Sequence, residues 1–221
     1  MKENIKWRLA QKIEYKWWER YLKKKNAEDY LQWKIQYWEN VLQELSKYIP
    51  IPEDKLILDA GCGPAGIFIA LKGNSVHAID PLLEKYRNFP HFMPGRSSWV
   101  QFETKVIECL NEVEKYDVIF CMNAINHVND IALCYDKLVQ ALKPGGYIVV
   151  STDAHKYTFL KKFFQHFPGD VLHPVQLDND EYNVFLTKRE MDIIHSIPYE
   201  KGNVFDYYIT IAKKPALSLA G

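Results

Sequence analysis

The sequence predicts an α/β fold: a doubly wound, mostly parallel sheet finished by an antiparallel hairpin and preceded by a helical extension. Three observations predict it. From residue 55 onward, short aliphatic runs alternate with turn signals and helical stretches, the pattern of strands covered on both faces by crossover helices. The last two β-rich runs, Met191 to Tyr199 and Val204 to Ala212, are separated by Glu200-Lys201-Gly202-Asn203, a connection short enough for a hairpin. Residues 1–48 carry five of the six tryptophans, many lysines and no Gly or Pro, a composition that suits uninterrupted helices.

The elements follow in order. Ile5, Leu9, Ile13, Trp17 and Tyr21 recur every four residues and mark one face of a first helix. Asn26 breaks and caps. Leu31, Ile35, Trp38, Leu42 and Leu45 then alternate four-three spacing along a second helix, and Tyr30, Trp33, Tyr37 and Val41 widen its apolar face. Ile49-Pro50-Ile51-Pro52 ends it, since a proline disfavours helix at the residue before it. Most of these aromatic residues are expected to pack the two helices on the edge of the sheet. Strands are predicted at 55–60, Ser75–Ile79, Trp99–Glu103, Tyr116–Met122 and Tyr147–Ser151, with a helix at 64–72 after the first. Asp130 caps a helix reaching Leu142, and Lys143-Pro144-Gly145-Gly146 turns it into the fifth strand. A helix is expected at 156–167, and another near Asp178, whose spacing to Glu181 suits a capping box. The division expected is a helical cap at 1–50, one domain at 51–215 and a disordered tail at 216–221.

Composition narrows the class. The 221 residues are 48% hydrophobic and 25% charged, enough for one sizeable core. Twenty-eight basic residues balance twenty-eight acidic ones, so no overall field draws the molecule to nucleic acid or to a membrane. Cys62, Cys109, Cys121 and Cys134 lack C-x-x-C spacing, which favours reduced thiols over a disulfide framework or a metal site. The amino terminus has no apolar signal region and no run is long enough to span a bilayer. A cytoplasmic protein without nucleic-acid, membrane or metal partners is expected, monomeric or homodimeric.

One stretch carries chemistry. Residues 56–66 read Leu-Ile-Leu-Asp-Ala-Gly-Cys-Gly-Pro-Ala-Gly: a buried strand, then a turn where glycine lets the backbone approach a ligand, then a helix start. Glycines at 61, 63 and 66 alone are a weak dinucleotide signal. Asp59, two positions before the first, changes the reading, because a carboxylate at the strand end repels a pyrophosphate and suits a ligand with a cationic amino-acid moiety.

From about 55 to 213 the chain resembles the class I S-adenosylmethionine-dependent methyltransferases, whose fold is a Rossmann-like seven-stranded sheet with a reversed final strand. Leu-Asp-Ala-Gly-Cys-Gly (58–63) is similar to the family's first motif, Val-His-Ala-Ile-Asp (76–80) to the second, residues 116–130 to the fourth and Leu-Lys-Pro-Gly-Gly-Tyr-Ile-Val-Val-Ser (142–151) to the helix-to-strand connection. The resemblance implies S-adenosylmethionine as cofactor. Asp59, Ala60, Gly61, Cys62 and Gly63 would wrap its methionyl part, and Asp80 with Pro81 would take the ribose. Lys105 and Val106 would pack the adenine, in a loop that departs from the family's usual small or acidic residue. Asn123 and Ala124 would flank the methionyl group, with loop capping as the other role of Asn123. Cys62 reads as a small residue rather than a nucleophile.

His127 faces the expected acceptor and either takes its proton or holds the loop backbone. Tyr15, Trp18, Trp33 and His155 are the candidate substrate residues. The acceptor implied is a small molecule methylated at oxygen or nitrogen; the loop after the fourth strand lacks the Asn/Asp-Pro-Pro-aromatic signature of enzymes acting on DNA-base or glutamine amino groups. Two alternatives stay open at this level: an enzyme that transfers another group from the same cofactor, and a catalytically silent partner subunit.

Overall fold

A computed structural model describes residues 5–51, 53–155, 177–201 and 205–216. The helix expected at 156–167, residues 202–204 of the hairpin connection and residues 217–221 of the expected tail lie outside the described residues. Seven strands form one sheet: β1 (Leu56–Ala60), β2 (Ser75–Ile79), β3 (Val100–Glu103), β4 (Tyr116–Met122), β5 (Leu142–His155), β6 (Asp192–Lys201) and β7 (Phe205–Lys213). Their order is β3-β2-β1-β4-β5-β7-β6. The first five are parallel, and β7 runs antiparallel to both β5 and β6. β5 begins earlier than the turn signal at 143–146 implies. Leu142 already pairs with Tyr116, and Gly145 and Gly146 exchange backbone hydrogen bonds with Lys214.

The helices among the described residues are α1 (Ile5–Lys23), α2 (Ala27–Leu45), the one-turn α3 (Leu83–Tyr86), α4 (Ile131–Ala141) and α5 (Asn179–Thr187). Asp130 caps α4 through Leu133 N–H, and Asp178 and Glu181 form the reciprocal capping box of α5. No helix among the described residues is long and apolar enough to cross a membrane. Asn26 caps α2, its Oδ1 accepting from the N–H groups of Glu28 (2.9 Å) and Asp29 (3.2 Å). Asn26→Ala leaves those donors to water and is expected to cost about 1 kcal/mol, a fall in Tm of roughly 2–4 °C on thermal unfolding; an unchanged Tm would show that the cap is redundant with the packing of α2.

Two expectations are corrected. In place of a helix at 64–72 the chain makes a 3-10 turn, Ile67–Ala70. Gly66 and Gly73 bracket only six residues, and the Phe68 N–H is held by the Asp59 carboxylate at 3.1 Å, so the segment closes before an α-helical register is established. The layer that such a helix would have supplied comes from α2. Leu31, Trp38, Val41 and Leu45 share one core cluster with Ile57, Val118, Phe120 and Val149, which places α2 on a face of the sheet and not at its edge. The opposite face is covered by α4 and α5.

The second correction concerns α1. Its four-residue ladder is not the buried face: Ile5 is 83% exposed, Leu9 50% and Trp17 46%. At 3.6 residues per turn a step of four overshoots by about 40°, so such a ladder winds away from the face that packs on the rest of the protein. Ala10, Gln11 and Leu22 are buried instead. The four-three pattern of α2 cancels this drift, and its residues Leu31, Trp38 and Leu45 are buried as expected.

Candidate active site

Where strand order reverses, between β1 and β4, the loops leaving the carboxyl ends of neighbouring strands diverge and open a crevice. A cavity of ≈ 160 Å³ lies there, between the turn after β1, the loops after β2, β3 and β4, and the inner faces of α1 and α2. Gly61 (φ +78°) and Gly63 (φ +57°) take the left-handed conformation that side chains disfavour. The turn is tied to the end of β2, since the N–H groups of Gly61 and Cys62 both donate to the Ile79 carbonyl (2.8 and 3.1 Å). A Cβ at Gly66 would stand 2.3 Å from the Cys62 carbonyl oxygen and 2.6 Å from Asp59 Oδ2, so the third glycine is required by the turn itself.

Two carboxylates lie under this turn. Asp80 Oδ2 accepts from Gly63 N–H (3.0 Å) and Oδ1 from Leu82 N–H (2.7 Å), which fixes the side chain while leaving each oxygen a lone pair. Burial pushes its carboxyl up to about 6 against those two donors. Asp59 is pushed up to about 7, chiefly by burial and further by the charge of Asp80, with the Phe68 N–H and the Lys34 ammonium opposing. Burial likewise raises the Cys62 thiol well above the ordinary range, which leaves it protonated and unreactive at neutral pH.

Most residues singled out in the sequence line the cavity: Asp59, Gly61, Cys62, Gly63, Asp80 and Pro81 from the turn after β1 and the end of β2, Lys105, Val106, Asn123, Ala124 and His127 from the loops after β3 and β4, and Trp18 from α1. Ala60 is buried behind the turn. Asn123 takes a positive φ of 53° and exchanges two hydrogen bonds with Ser151, its N–H donating to Oγ and its Oδ1 accepting from it, both at 2.8 Å. Its side chain therefore fixes the loop. Lys105 lies in the wall with its ammonium engaged by Glu103 (2.9 Å) and Glu112 (3.5 Å). His127 is half-buried at the cavity, and its carbonyl accepts from the Trp7 indole N–H at 3.1 Å. Tyr15 and Trp33 do not reach the cavity. Tyr15 stacks on Phe89 with centroids 5.3 Å apart, and Trp33 is 52% exposed. The backbone of His155 closes the β5–β7 ladder opposite Phe205, and its side chain lies outside the described residues.

Sequence reasoning found Trp18 but missed the rest of its helical wall. Trp7, Gln11 and Glu14 face the cavity with Trp18 at four-three-four spacing, the pattern that does hold one face of a helix and the signal that would have found them. Gln11 is buried, its Nε2 donates to Glu14 at 3.1 Å, and its Oε1 has no partner among the described residues. From α2 comes Lys34, whose ammonium lies 4.8 Å from the Tyr37 ring and 4.5 Å from the Trp38 ring. Burial lowers it to about 8, with Asp59 opposing. Trp38 pins α2 to the turn through its indole N–H and the Ala65 carbonyl at 2.9 Å.

The site thus holds the buried carboxylates of Asp59 and Asp80 beside the Lys34 ammonium, a glycine turn open to a ligand, an apolar slot at Pro81 and Val106, and an orphaned acceptor at Gln11. This donor set fits a ligand with a cationic and carboxylated amino-acid end and a nucleoside end. A family model described as a methyltransferase domain matches residues 30–193. The ubiquinone biosynthesis O-methyltransferase of Rickettsia prowazekii is 31% identical over 147 residues, covering 64% of this chain and 56% of that protein. That of Rickettsia canadensis is 33% identical over 98 residues, 43% and 42% of the two chains. The chain thus spans about half the length of these curated relatives. Among solved structures, the Burkholderia thailandensis 1,6-didemethyltoxoflavin-N1-methyltransferase, bound to 1,6-didemethyltoxoflavin and S-adenosylhomocysteine, superposes with a TM-score of 0.62 at 15% identity. The match covers 82% of this chain and 78% of that one, and it is a likeness of fold.

Proposed function

The chain belongs to the class I S-adenosylmethionine-dependent methyltransferases, and we propose that it carries a methyl group from that cofactor to an oxygen or nitrogen of a small molecule by in-line displacement. The observation that carries the reading is the placement of Asp59, Asp80 and Lys34 around one glycine turn at the switch point of the sheet. When bound, the cofactor supplies a methyl group activated by its sulfonium. This chain's own residues bind and orient. Asp80, already held by two backbone N–H groups, offers its remaining lone pairs to the ribose hydroxyls. Lys34 offers the methionyl carboxylate a cation that the aromatic rings around it keep partly desolvated. Pro81 and Val106 take the adenine. Residues 51–215 supply the sheet and the turn, while residues 1–50 supply the cover.

Orientation and exclusion of water are most of what such a displacement asks of a protein. Trp7, Trp18 and Trp38 provide the exclusion. The proton of an oxygen or nitrogen acceptor goes to His127 in this reading, since its half-buried ring borders the cavity and a neutral imidazole accepts protons near pH 7.

Calorimetric titration tests the cofactor and turnover tests the base. S-adenosylmethionine is expected to bind, and Asp80→Asn, which keeps the shape and removes the charge, is expected to weaken it roughly 10- to 100-fold. With an accepted substrate, His127→Ala is expected to lower kcat about 10²–10⁴-fold at unchanged cofactor affinity. Absence of cofactor binding by the folded wild-type chain would sink the whole reading. Binding with no S-adenosylhomocysteine formed across phenol, carboxylate and amine acceptors would favour a silent subunit.

A further inference from the structure

The outward side of α1 is left unexplained by the cavity. Arg8, Lys12, Lys16 and Arg20 each immediately precede Leu9, Ile13, Trp17 and Tyr21, so a cationic row and an apolar row share the same four-residue step and wind around the helix side by side. Leu9 and Trp17 are about half exposed and Ile5 almost fully. Together with Trp33 on α2 they make four of the seven exposed large hydrophobic residues among those described. Trp17 stacks on Tyr21 at 4.9 Å, and these two rings share a groove with Arg20 and Lys23 to Lys25, the Lys25 ammonium lying 4.7 Å over Tyr21.

We propose that this face of α1 seats the protein on an anionic lipid surface, with Leu9, Ile13 and Trp17 at the headgroup–acyl boundary and Lys12, Lys16 and Arg20 on lipid phosphates. A contiguous apolar stripe rimmed by cations is the composition of an interfacial helix. The neutral overall charge conceals the asymmetry: the first 25 residues hold nine basic and three acidic side chains, the other 196 nineteen and twenty-five. A second copy of the chain is a poor occupant, because self-association along the stripe sets cationic rows near one another. A groove in an acidic protein would have to follow a stripe that turns about 40° at each step, whereas lipids adapt to it. The inference rests on the surface alone and stands whatever the acceptor is. Its consequence for the site is spatial, since the opposite face of the same helix, Trp7, Gln11, Glu14 and Trp18, lines the cavity.

Co-sedimentation of the full chain with vesicles tests it, using phosphatidylcholine alone and phosphatidylcholine mixed with phosphatidylglycerol. Binding is expected on the anionic vesicles only and is expected to weaken as salt is added. Lys12→Gln and Lys16→Gln are each expected to reduce it roughly fivefold, and Leu9→Ser with Trp17→Ser by more than about tenfold, at unchanged circular dichroism. Equal binding to both vesicle types, binding to neither, or indifference to the Leu9/Trp17 pair would overturn the proposal. So would a dimer in sedimentation velocity that Leu9→Ser dissolves, which would assign the face to a second copy.

Discussion

Gly61→Ala is expected to destabilise the protein by roughly 2–5 kcal/mol and to remove measurable cofactor binding. Two costs combine at this position. An alanine at φ +78° pays about 1–2 kcal/mol for the left-handed backbone. Its Cβ would also stand 2.2 Å from the Cβ of Ala124, an overlap that only movement of the turn or of the loop after β4 can relieve, at about 1–3 kcal/mol. Either movement spoils the cavity, because these two segments are adjoining walls of it. The costs are separable. Ala124→Gly removes the steric partner while the next atom, Ala124 Cα, is at an ordinary 3.6 Å, so the double variant should regain most of the stability lost to overlap and keep only the backbone share. Thermal unfolding of the four chains in this double-mutant cycle measures the coupling. If Ala124→Gly restores nothing, the two walls do not meet as described.

The parts of the fold legible in the sequence are those governed by local rules. Strand boundaries followed aliphatic runs, and the caps at Asn26, Asp130 and Asp178 followed from side chains that satisfy helix N–H groups. The glycine turn was legible because its constraint is conformational and belongs to single residues. What was not legible depended on partners distant in sequence. The segment after β1 is apolar enough for a helix, and only the Asp59 bond to Phe68 and the arrival of α2 over it explain why it stays a 3-10 turn. The face of α1 was misread because an eye-catching ladder of large apolar residues competed with a polar-aromatic row, Trp7-Gln11-Glu14-Trp18, at the spacing a helix face needs. Lys34 was lost among the lysines of the first 50 residues. Its meaning comes from Asp59, 25 positions later in the chain, and from rings that desolvate it.

Charge inside the cavity leads to the second large expectation, a stability minimum of the ligand-free protein near pH 7–8. Asp59 and Asp80 are raised from the ordinary carboxylate value to about 7 and about 6 by burial. Between about pH 4 and 7 the folded chain therefore holds protons that the unfolded chain has released, so stability is greatest at the acid end of this window and falls as pH rises through it. At about 1.4 kcal/mol per unit, the two carboxylates together account for several kcal/mol, a large part of a domain's usual margin. Lys34 acts in the opposite sense at higher pH. Lowered to about 8 by burial, it is neutral in the folded chain while still charged in the unfolded one, so stability recovers from about pH 8 toward 10.

A ligand with a cationic amino group and a carboxylate reverses each term, since it favours ionised Asp59 and Asp80 and charged Lys34. Its affinity is thus expected to peak where the free protein is least stable, falling below about pH 6 and above about pH 8. Unfolding temperatures across this range, with and without S-adenosylmethionine, measure both curves. Asp59→Asn should flatten the acid slope and Lys34→Met should remove the alkaline limb of binding. A ligand-free Tm that climbs steadily from pH 5 to pH 8 would mean that these carboxylates are not buried as charges beneath the turn.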